Sequence, residues 1–331
     1  MHIFLNFTYA AGDNRNDVPA HLRHLLKAAT IVRYSVTENG WILEQYQVMG
    51  GIYRALVHYA IQENETLFVD SNIDVIAINR STKHEVLVPT QELISVGDAS
   101  AMDYHMFIVA KGKNVSFVPG GGIHEISFFS IDTAAIPNLI ALFYDLHPLL
   151  WLLPITQTQK LEGVSFRQNE ISDWMDERML NQTGFQGLIF PYQQRISVNY
   201  ILCALRCMEE EYSQLLTDRE INLAVEVFDL IKDIAKIQDL QAYLMKKTGQ
   251  QFVDIEYVFK NHYKMSVMEF VTMAVYLHAY VLLAVAGFSI EAVADITRIG
   301  MDDSGHVDVA LFKIYMEDYF KVPMTGIVPN L

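Results

Sequence analysis

Residues 240–265 read as two short helices joined through Gly249, and this stretch constrains the fold more than any other. The first helix ends in Leu244-Met245 and runs into Thr248-Gly249. The second carries apolar residues at Phe252, Ile255, Val258 and Phe259, which lie on one side of a 3.6-residue helix. Glycine supplies a tight turn between crossed helices because it takes a left-handed backbone at little steric cost. The spacing therefore predicts a helix-turn-helix. Capping boxes sit on both sides of it. Thr217 with Glu220, and Ser266 with Glu269, each pair a hydroxyl and a carboxylate with backbone amides three residues apart, so a helix starts after each.

The helix expected after Ser266 is unusual. Residues 270–290 contain no Asp, Glu, Lys or Arg, which is the length of a bilayer span. Thr272, Tyr276, His278 and Tyr280 interrupt it, Gly287 breaks it, and neither flank is basic. The expectation is a buried helix over 270–285 and no membrane partner. At 331 residues, 51% apolar and 19% charged, the chain has room for two or three packed domains. Net charge is −15, divided as −5 from residue 219 onward and −10 before it. No basic patch of the kind that holds nucleic acid stands out. Cys203 and Cys207 share one face of an expected helix, a poor geometry for a bridge, and no third ligand is near. They read as core thiols of a reducing compartment, and a cytoplasmic location is expected. The opening residues Met1-His-Ile-Phe-Leu-Asn-Phe-Thr-Tyr9 show neither a basic start nor a long apolar core, so no signal peptide is expected.

Residues 1–133 alternate like strands at 41–48, 52–59, 74–78, 106–109, 115–118 and 123–129. Turns punctuate them at Glu38-Asn-Gly40, Gly50-Gly51 and Pro119-Gly-Gly-Gly122. Strands at this spacing predict a β-barrel or sandwich, with a helix over 18–34 ahead of them. After Ile131 the period becomes helical, with helices expected over 134–146, 168–180 and 192–213. The last carries Ile196, Tyr200, Cys203 and Cys207 along one stripe, offered as a homodimer surface. The fold class is α+β: a β-barrel domain over 1–133, a helical connector over 134–214, and an all-α domain over 215–331. Trp41, Tyr46, Tyr53, His58, Phe107, Phe117 and Phe128 are the strand residues able to line a pocket for a small molecule. His58, His84, His105 and His124 are scattered without a His-x-His, so no metal and no cofactor is expected. There is no Gly-x-Ser-x-Gly, Ser-x-x-Lys or phosphate loop, and the chain does not read as an enzyme.

The helical half resembles the AraC-type transcription regulators. Leu244, Gly249, Ile255 and Phe259-Lys260 fall in register with that family's first helix-turn-helix, with Met245 where the family has Ala. Ser266-Val-Met-Glu-Phe270, Ala279 and Leu282-Leu283 resemble its linker helix. Gly300-Met-Asp-Asp-Ser304-Gly-His306 and Tyr319-Phe-Lys-Val-Pro323 resemble its second motif and closing segment. Ser116-Phe-Val-Pro119, residues 126–131 and residues 142–150 resemble the end of a cupin-like sensor barrel and the helix after it. The resemblance implies a double helix-turn-helix domain, a small-molecule effector, duplex DNA as partner, and a homodimer.

The departures fall where the family touches DNA. Gln251, Asp254, Glu256 and Tyr257 stand at positions usually Ser, Tyr, small polar and Arg, and Val275 stands where the linker helix has Arg. Five residues separate Val293-Ala294 from Gly300-Met301 where three are usual, and nine separate His306 from Met316 where four are usual. Asp302, Asp303, Asp308, Glu317 and Asp318 crowd the second motif. The residues left to contact DNA are Lys246, Lys247, Gln250, Gln251, Tyr257 and Lys260 in the first motif, with Ser304 and His306 in the second. Each missing cation removes a counterion-release contribution, so weak DNA binding is expected. The alternative is a regulator-like protein that has lost DNA binding and acts through its ligand or protein partners.

Overall fold

The computed structural model describes residues 2–5, 15–28, 30–63, 65–81, 103–109, 111–118, 120–151, 164–167, 169–182, 186–209, 216–234, 239–302 and 305–328. The chain forms two compact units, Met1–Gln168 and Asn169–Leu331. The first is built on antiparallel sheet and the second is helical, the α+β order that the change of period predicts. The expected connector, residues 134–214, is divided between the two units.

Among the described residues of the first unit there are ten strands: β1 (His2–Leu5), β2 (Ile31–Thr37), β3 (Gly40–Met49), β4 (Ile52–Ile61), β5 (Glu65–Ser71), β6 (Val75–Ser81), β7 (Asp103–Val109), β8 (Gly112–Val118), β9 (His124–Asp132) and β10 (Val164–Arg167). Seven form one sheet in the order β10-β7-β6-β9-β4-β3-β2, and three form another in the order β1-β5-β8. The turn at Glu38-Asn39 sets the register of β2 on β3, opposing Arg33 to Glu44. Gly50-Gly51 sets that of β3 on β4, opposing Tyr46 to Ala55. Because side chains alternate across a strand, one face of the large sheet collects Ile42, Tyr46, Tyr53, Ala55, Val57 and Val75 into a core. On the opposite face Val18, Leu22, Val32 and Leu43 form a smaller one, with Trp41 packed against it.

Two helical expectations in this unit are corrected. Over 18–34 the helix is only a 3-10 segment, Ala20–Leu25, and residues from Ile31 onward join the sheet. Ile31, Val32 and Val36 are β-branched, and pairing with β3 outweighs the local helical pattern. Over 134–146 the helix α1 (Ile136–Leu142) ends where Phe143 leaves helical geometry at φ −126°. A 3-10 helix, Tyr144–Trp151, follows. Pro148 lies inside it and has no amide to extend an α-helical ladder.

The second unit contains α2 (Glu170–Asn181), α3 (Gln186–Glu209), α4 (Asp218–Ile231), α5 (Leu240–Thr248), α6 (Phe252–Tyr263), α7 (Val267–Ala284), α8 (Ile290–Thr297), α9 (Val309–Phe320) and α10 (Met324–Ile327). Both expected capping boxes are present: Thr217 Oγ1 accepts from the Glu220 amide, and Ser266 Oγ from the Glu269 amide. The uncharged stretch is α7, long and apolar enough to cross a membrane, with 56% of it buried within the protein. Its Phe270 ring lies 5.2 Å from Trp174, 5.5 Å from Phe228 and 6.2 Å from Phe259. Further along, the Tyr280 ring lies 5.8 Å from Tyr192 and 4.6 Å from Phe320, and the Tyr276 ring lies 4.5 Å from Tyr319. One face of the helix thus gathers α2, α4 and α6 at its start and α3 and α9 at its end.

The stripe offered for dimerisation is occupied inside this unit. Ile196, Tyr200 and Cys203 are buried and Cys207 is half-buried. The neighbouring Asn199 Nδ2 donates to the Tyr319 hydroxyl at 3.0 Å, and the Arg195 guanidinium lies 4.1 Å over the Tyr319 ring. Both cysteines are free thiols. A hydrogen bond with Cys207, together with burial, pushes the Cys203 thiol well above its usual range. Burial leaves little of this stripe exposed for a second copy.

Two glycines separate backbone demand from packing demand. Gly249 ends α5 at φ 68°, and a Cβ there meets nothing within 4 Å. Gly300 has φ 78°, and a Cβ there would stand 2.8 Å from the Phe312 amide nitrogen and 2.9 Å from the Asp308 carbonyl oxygen. In denaturation followed by far-UV circular dichroism, Gly249→Ala is expected to cost about 1–2 kcal/mol from the left-handed backbone alone. Gly300→Ala adds an overpacking cost of about 1–3 kcal/mol and should unfold at a clearly lower denaturant concentration. Equal midpoints for the two variants would contradict the packing around Gly300.

Candidate nucleic-acid interface

The first helix-turn-helix is built as its sequence predicts. Leu240 and Leu244 on α5, and Ile255, Val258, Phe259 and Tyr263 on α6, point inward and are buried. Gly249 closes α5 in the left-handed conformation, its amide donating to the Met245 carbonyl. Thr248 Oγ1 donates to the Leu244 carbonyl and accepts from the Gln250 amide, which fixes the path of the turn. Lys246 and Lys247 lie exposed in the last turn of α5, and Gln250 and Gln251 lead into α6. Tyr257 and Lys260 are exposed along α6, with Asp254 one turn before Tyr257. All six expected contact residues of this motif therefore sit at the turn or on the outer side of α6. Among the described residues, Lys246, Lys247 and Lys260 form no ion pair.

Glu256 plays a different part from the one its position suggests. Its Oε2 accepts from the Val267 amide at 3.1 Å, at the start of α7. The first amides of a helix have no partner within it and carry its positive partial charge, so a carboxylate is favourable there. Glu269 accepts from the Ser266 amide at 2.7 Å and pairs with Arg206 at 3.0 Å. These partners hold the Glu269 carboxyl below its usual range against the opposing effect of burial. At the far end of α6, His262 Nε2 lies 3.7 Å from Glu170 Oε2, and the nearby imidazole is the main reason the Glu170 carboxyl is lowered to about 2. Of the two acidic residues standing at usual contact positions of this motif, only Asp254 is exposed.

The second motif keeps its helices and lengthens the turn. α8 ends at Thr297, Arg298 takes a left-handed backbone, and an isolated bridge joins Met301 to Val307. In this small loop the Asp302 amide donates to the His306 carbonyl at 2.9 Å, while most of the longer interval after His306 belongs to α9. The acidic residues described there are occupied, and Asp303 lies outside the described residues. Asp302 Oδ1 accepts from the His306 amide, Asp308 caps α9 through the Ala310 and Leu311 amides, and Glu317 accepts from Met324 at the start of α10. Asp318 pairs with Lys321 at 2.6 Å. His306 is exposed in the loop, and Ser304 lies outside the described residues. The outer side of α9 is apolar: Leu311 is 36% exposed, Ile314 56% and Tyr315 44%.

The aromatic residues expected to line a pocket divide between the two faces of the large sheet. Tyr46, Tyr53 and Phe128 share one face, with Tyr53 stacked 5.7 Å from Tyr46 and 6.2 Å from Phe128. Trp41 and His58 lie on the other, where His58 Nε2 is 3.0 Å from Glu125 Oε2. The two sets therefore face opposite sides of the sheet. Phe107 pairs with Ala77 and Phe117 with Thr66 in backbone register, and their side chains lie outside the described residues. Among the described residues no group of His, Cys, Asp and Glu is arranged to hold a metal ion.

Beside the first aromatic set stands a polar cluster that the sequence reading missed. Glu44 Oε1 accepts from the Tyr53 hydroxyl at 2.9 Å, and Oε2 lies 3.2 Å from Arg33 Nη1. The Arg33 guanidinium lies 5.6 Å over the Tyr46 ring. Burial raises the Glu44 carboxyl above its usual range, with Arg33 and Tyr53 pulling the other way. A two-residue turn at Glu38-Asn39 dictates that Arg33 opposes Glu44, so the pair was readable once residues 31–37 were taken as a strand.

No protein-family model and no curated protein matches the chain. Among solved structures it is similar to ToxT from Vibrio cholerae, at 10% identity over 82% of this chain and 96% of that one, with a TM-score of 0.29. ToxT from strain SCE256 with bound unsaturated fatty acid matches at 10% identity over 90% and 98%, with a TM-score of 0.27. Pumpkin seed globulin matches at 9% identity over 56% and 48%, with a TM-score of 0.18.

The role of Glu256 has a direct test. Glu256→Ala removes the acceptor for Val267 and is expected to cost about 1 kcal/mol, as loss of a helix cap does. Asp254→Ala, on the exposed side of the same helix, should cost less. Thermal melts of the two variants check this, and equal midpoints would leave Glu256 without its capping role.

Proposed function

We propose that the chain is an AraC-type transcription regulator that senses a small molecule and binds duplex DNA weakly, through its first helix-turn-helix alone, as a homodimer. In this reading residues 1–133 form a cupin-like sensor, 134–214 connect, and 215–331 carry the two motifs. The observation that carries it is the exposure of Lys246 and Lys247 in the last turn of α5 and of Lys260 in the last turn of α6, none of them in an ion pair, while Asp308, Glu317 and Asp318 of the second motif cap helices or pair with Lys321. Gln250 and Gln251 at the start of α6 are the residues able to meet base edges, since an amide can pair with the N6/N7 edge of adenine. For the sensor, the face carrying Tyr46, Tyr53 and Phe128 is favoured, because Arg33 and Glu44 add polar groups able to orient a ligand there.

One observation favours the second reading, a regulator-like protein that acts on protein partners. On α9, where the family reads DNA, Leu311, Ile314 and Tyr315 are exposed, and Lys313, half-buried, is the one cation of the helix. A phosphate backbone has little to gain from such a face.

Fluorescence anisotropy with a random duplex, titrated with salt, separates the two. Three phosphate contacts give a slope of roughly −3 in log K against log salt, far shallower than for a strongly basic binder. The Lys246→Ala/Lys247→Ala double variant should reduce the slope by roughly 2. Nanomolar binding with a steep slope would overturn the weak-binding reading. Complete absence of binding at low salt, by folded protein, would establish the second reading in its place.

A further inference from the structure

Three hydrogen-bond donors of the helical unit meet where the chain offers them no acceptor. The Tyr192 hydroxyl, Trp174 Nε1 and Arg178 Nε are shut off from solvent, and among the described residues none has a hydrogen-bond partner. Trp174 and Arg178 stand one turn apart on α2, and the Arg178 guanidinium lies 4.3 Å over the Trp174 ring. Tyr192, fully buried near the start of α3, is the third. Burial raises its hydroxyl above the usual range, and the charge of the neighbouring Arg178 pulls the other way. His278, half-buried on α7, lies in the field of the same guanidinium. Burial first and Arg178 second lower its imidazole, which keeps it from adding a second charge. The acidic partner of Arg178 is a weak one: Asp233, 81% exposed, stands 3.7 Å from Nη2, and water screens a contact of this kind. Buried polar groups are almost always paired, so donors that find no acceptor in the protein call for one from outside the chain.

We propose that Trp174, Arg178 and Tyr192 form a binding site for a small oxyanion, a carboxylate or phosphate group, held between α2 and α3 beside α7. The chemistry of the donors selects the ligand. An indole N–H can only donate, and so can a guanidinium. Were Arg178 to donate to the Tyr192 oxygen, the hydroxyl hydrogen would still lack an acceptor. Water meets two such donors only by bringing two hydrogens of its own, which need acceptors in turn. An oxyanion brings acceptors alone and neutralises Arg178, and a charge-assisted hydrogen bond is roughly twice as strong as a neutral one. The planar guanidinium fork matches a carboxylate or a phosphate with two parallel bonds. A cationic or apolar ligand would leave the three donors as they are. The Arg178 side chain, 30% exposed, gives the site its opening. Every residue of the site belongs to Asn169–Leu331, so it is separate from the sensor face proposed for the sheet unit. Trp174 and Tyr192 pack against Phe270 and Tyr280 of α7, so an anion that fixes them braces the helix on which both motifs rest.

Thermal unfolding of the full chain, followed by far-UV circular dichroism at matched pH and ionic strength, tests the site. The probes are sodium acetate and sodium phosphate, each compared with sodium chloride. At saturating concentration one or both oxyanions should raise the midpoint by at least about 2 °C over chloride. The larger rise names carboxylate or phosphate as the preferred group. Tyr192→Phe deletes only a hydroxyl without a partner, so in chloride it should melt no lower than the wild type. Its oxyanion-dependent rise should fall to half or less. Arg178→Gln should abolish the rise. Should Arg178→Gln not fold, Arg178→Lys, which keeps the charge and loses the fork, should still lose most of it. A midpoint that neither oxyanion moves beyond chloride overturns the site and leaves its donors to water. A rise that every variant retains in full places the anion elsewhere and overturns the site as well. Neither result bears on the sensor or the DNA-binding reading.

Discussion

The helical unit depends on burial of α7. Ser266 and Glu269 start the helix, Glu256 from the preceding helix satisfies its Val267 amide, and no charged side chain interrupts it until it ends. Phe270 near one end and Tyr280 near the other each enter a cluster of rings from different helices. Fully burying a side chain of this size stabilises by about 1.5–3 kcal/mol, and α7 buries ten residues. The two helix-turn-helix pairs share this one partner, so their relative placement is a consequence of its packing. An uncharged stretch that reads as a membrane span by composition alone is, in this fold, the rod between two motifs.

The acidic character of the unit acquires a physical account from the same packing. Glu256, Glu269, Asp308 and Glu317 each accept from an amide at or near a helix start. A carboxylate at a helix N-terminus stabilises the fold by meeting unpaired amides and the positive end of the dipole. It also places negative charge where a DNA-binding protein could offer amides to phosphate. Fold stability and phosphate affinity therefore pull in opposite directions at these positions. In this chain the balance at these four positions lies with the fold, while Lys246, Lys247 and Lys260 of the first motif stay exposed without an ion pair.

In the sheet-based unit, strand parity decides which side chains can act together. Tyr46 and Tyr53 were grouped with Trp41 and His58 because all are aromatic and lie on neighbouring strands. Register puts the two pairs on opposite faces. Arg33 and Glu44 come together for the same reason of register, and their proximity was hidden by taking residues up to 34 as helical. The 3-10 helix beyond α1 is a parallel case. A break at Phe143 changes the period from 3.6 to 3, which turns Tyr144, His147 and Leu150 into one ridge.

Local signals with a strong backbone reason were legible from the residues themselves. Gly249 at a left-handed turn, the capping boxes at Thr217 and Ser266, and the strands between glycine-rich turns all lie where their chemistry requires, because each is set by neighbours a few residues away. The α+β order and the two motifs follow from them. Only the tertiary structure decided what those elements face. It buried Ile196, Tyr200 and Cys203 against their own unit, turned Glu256 toward α7, and separated the strand aromatics by parity. The reason is physical: the direction of a side chain's partner depends on residues far away in sequence, and a pattern of three or four neighbours contains no record of them.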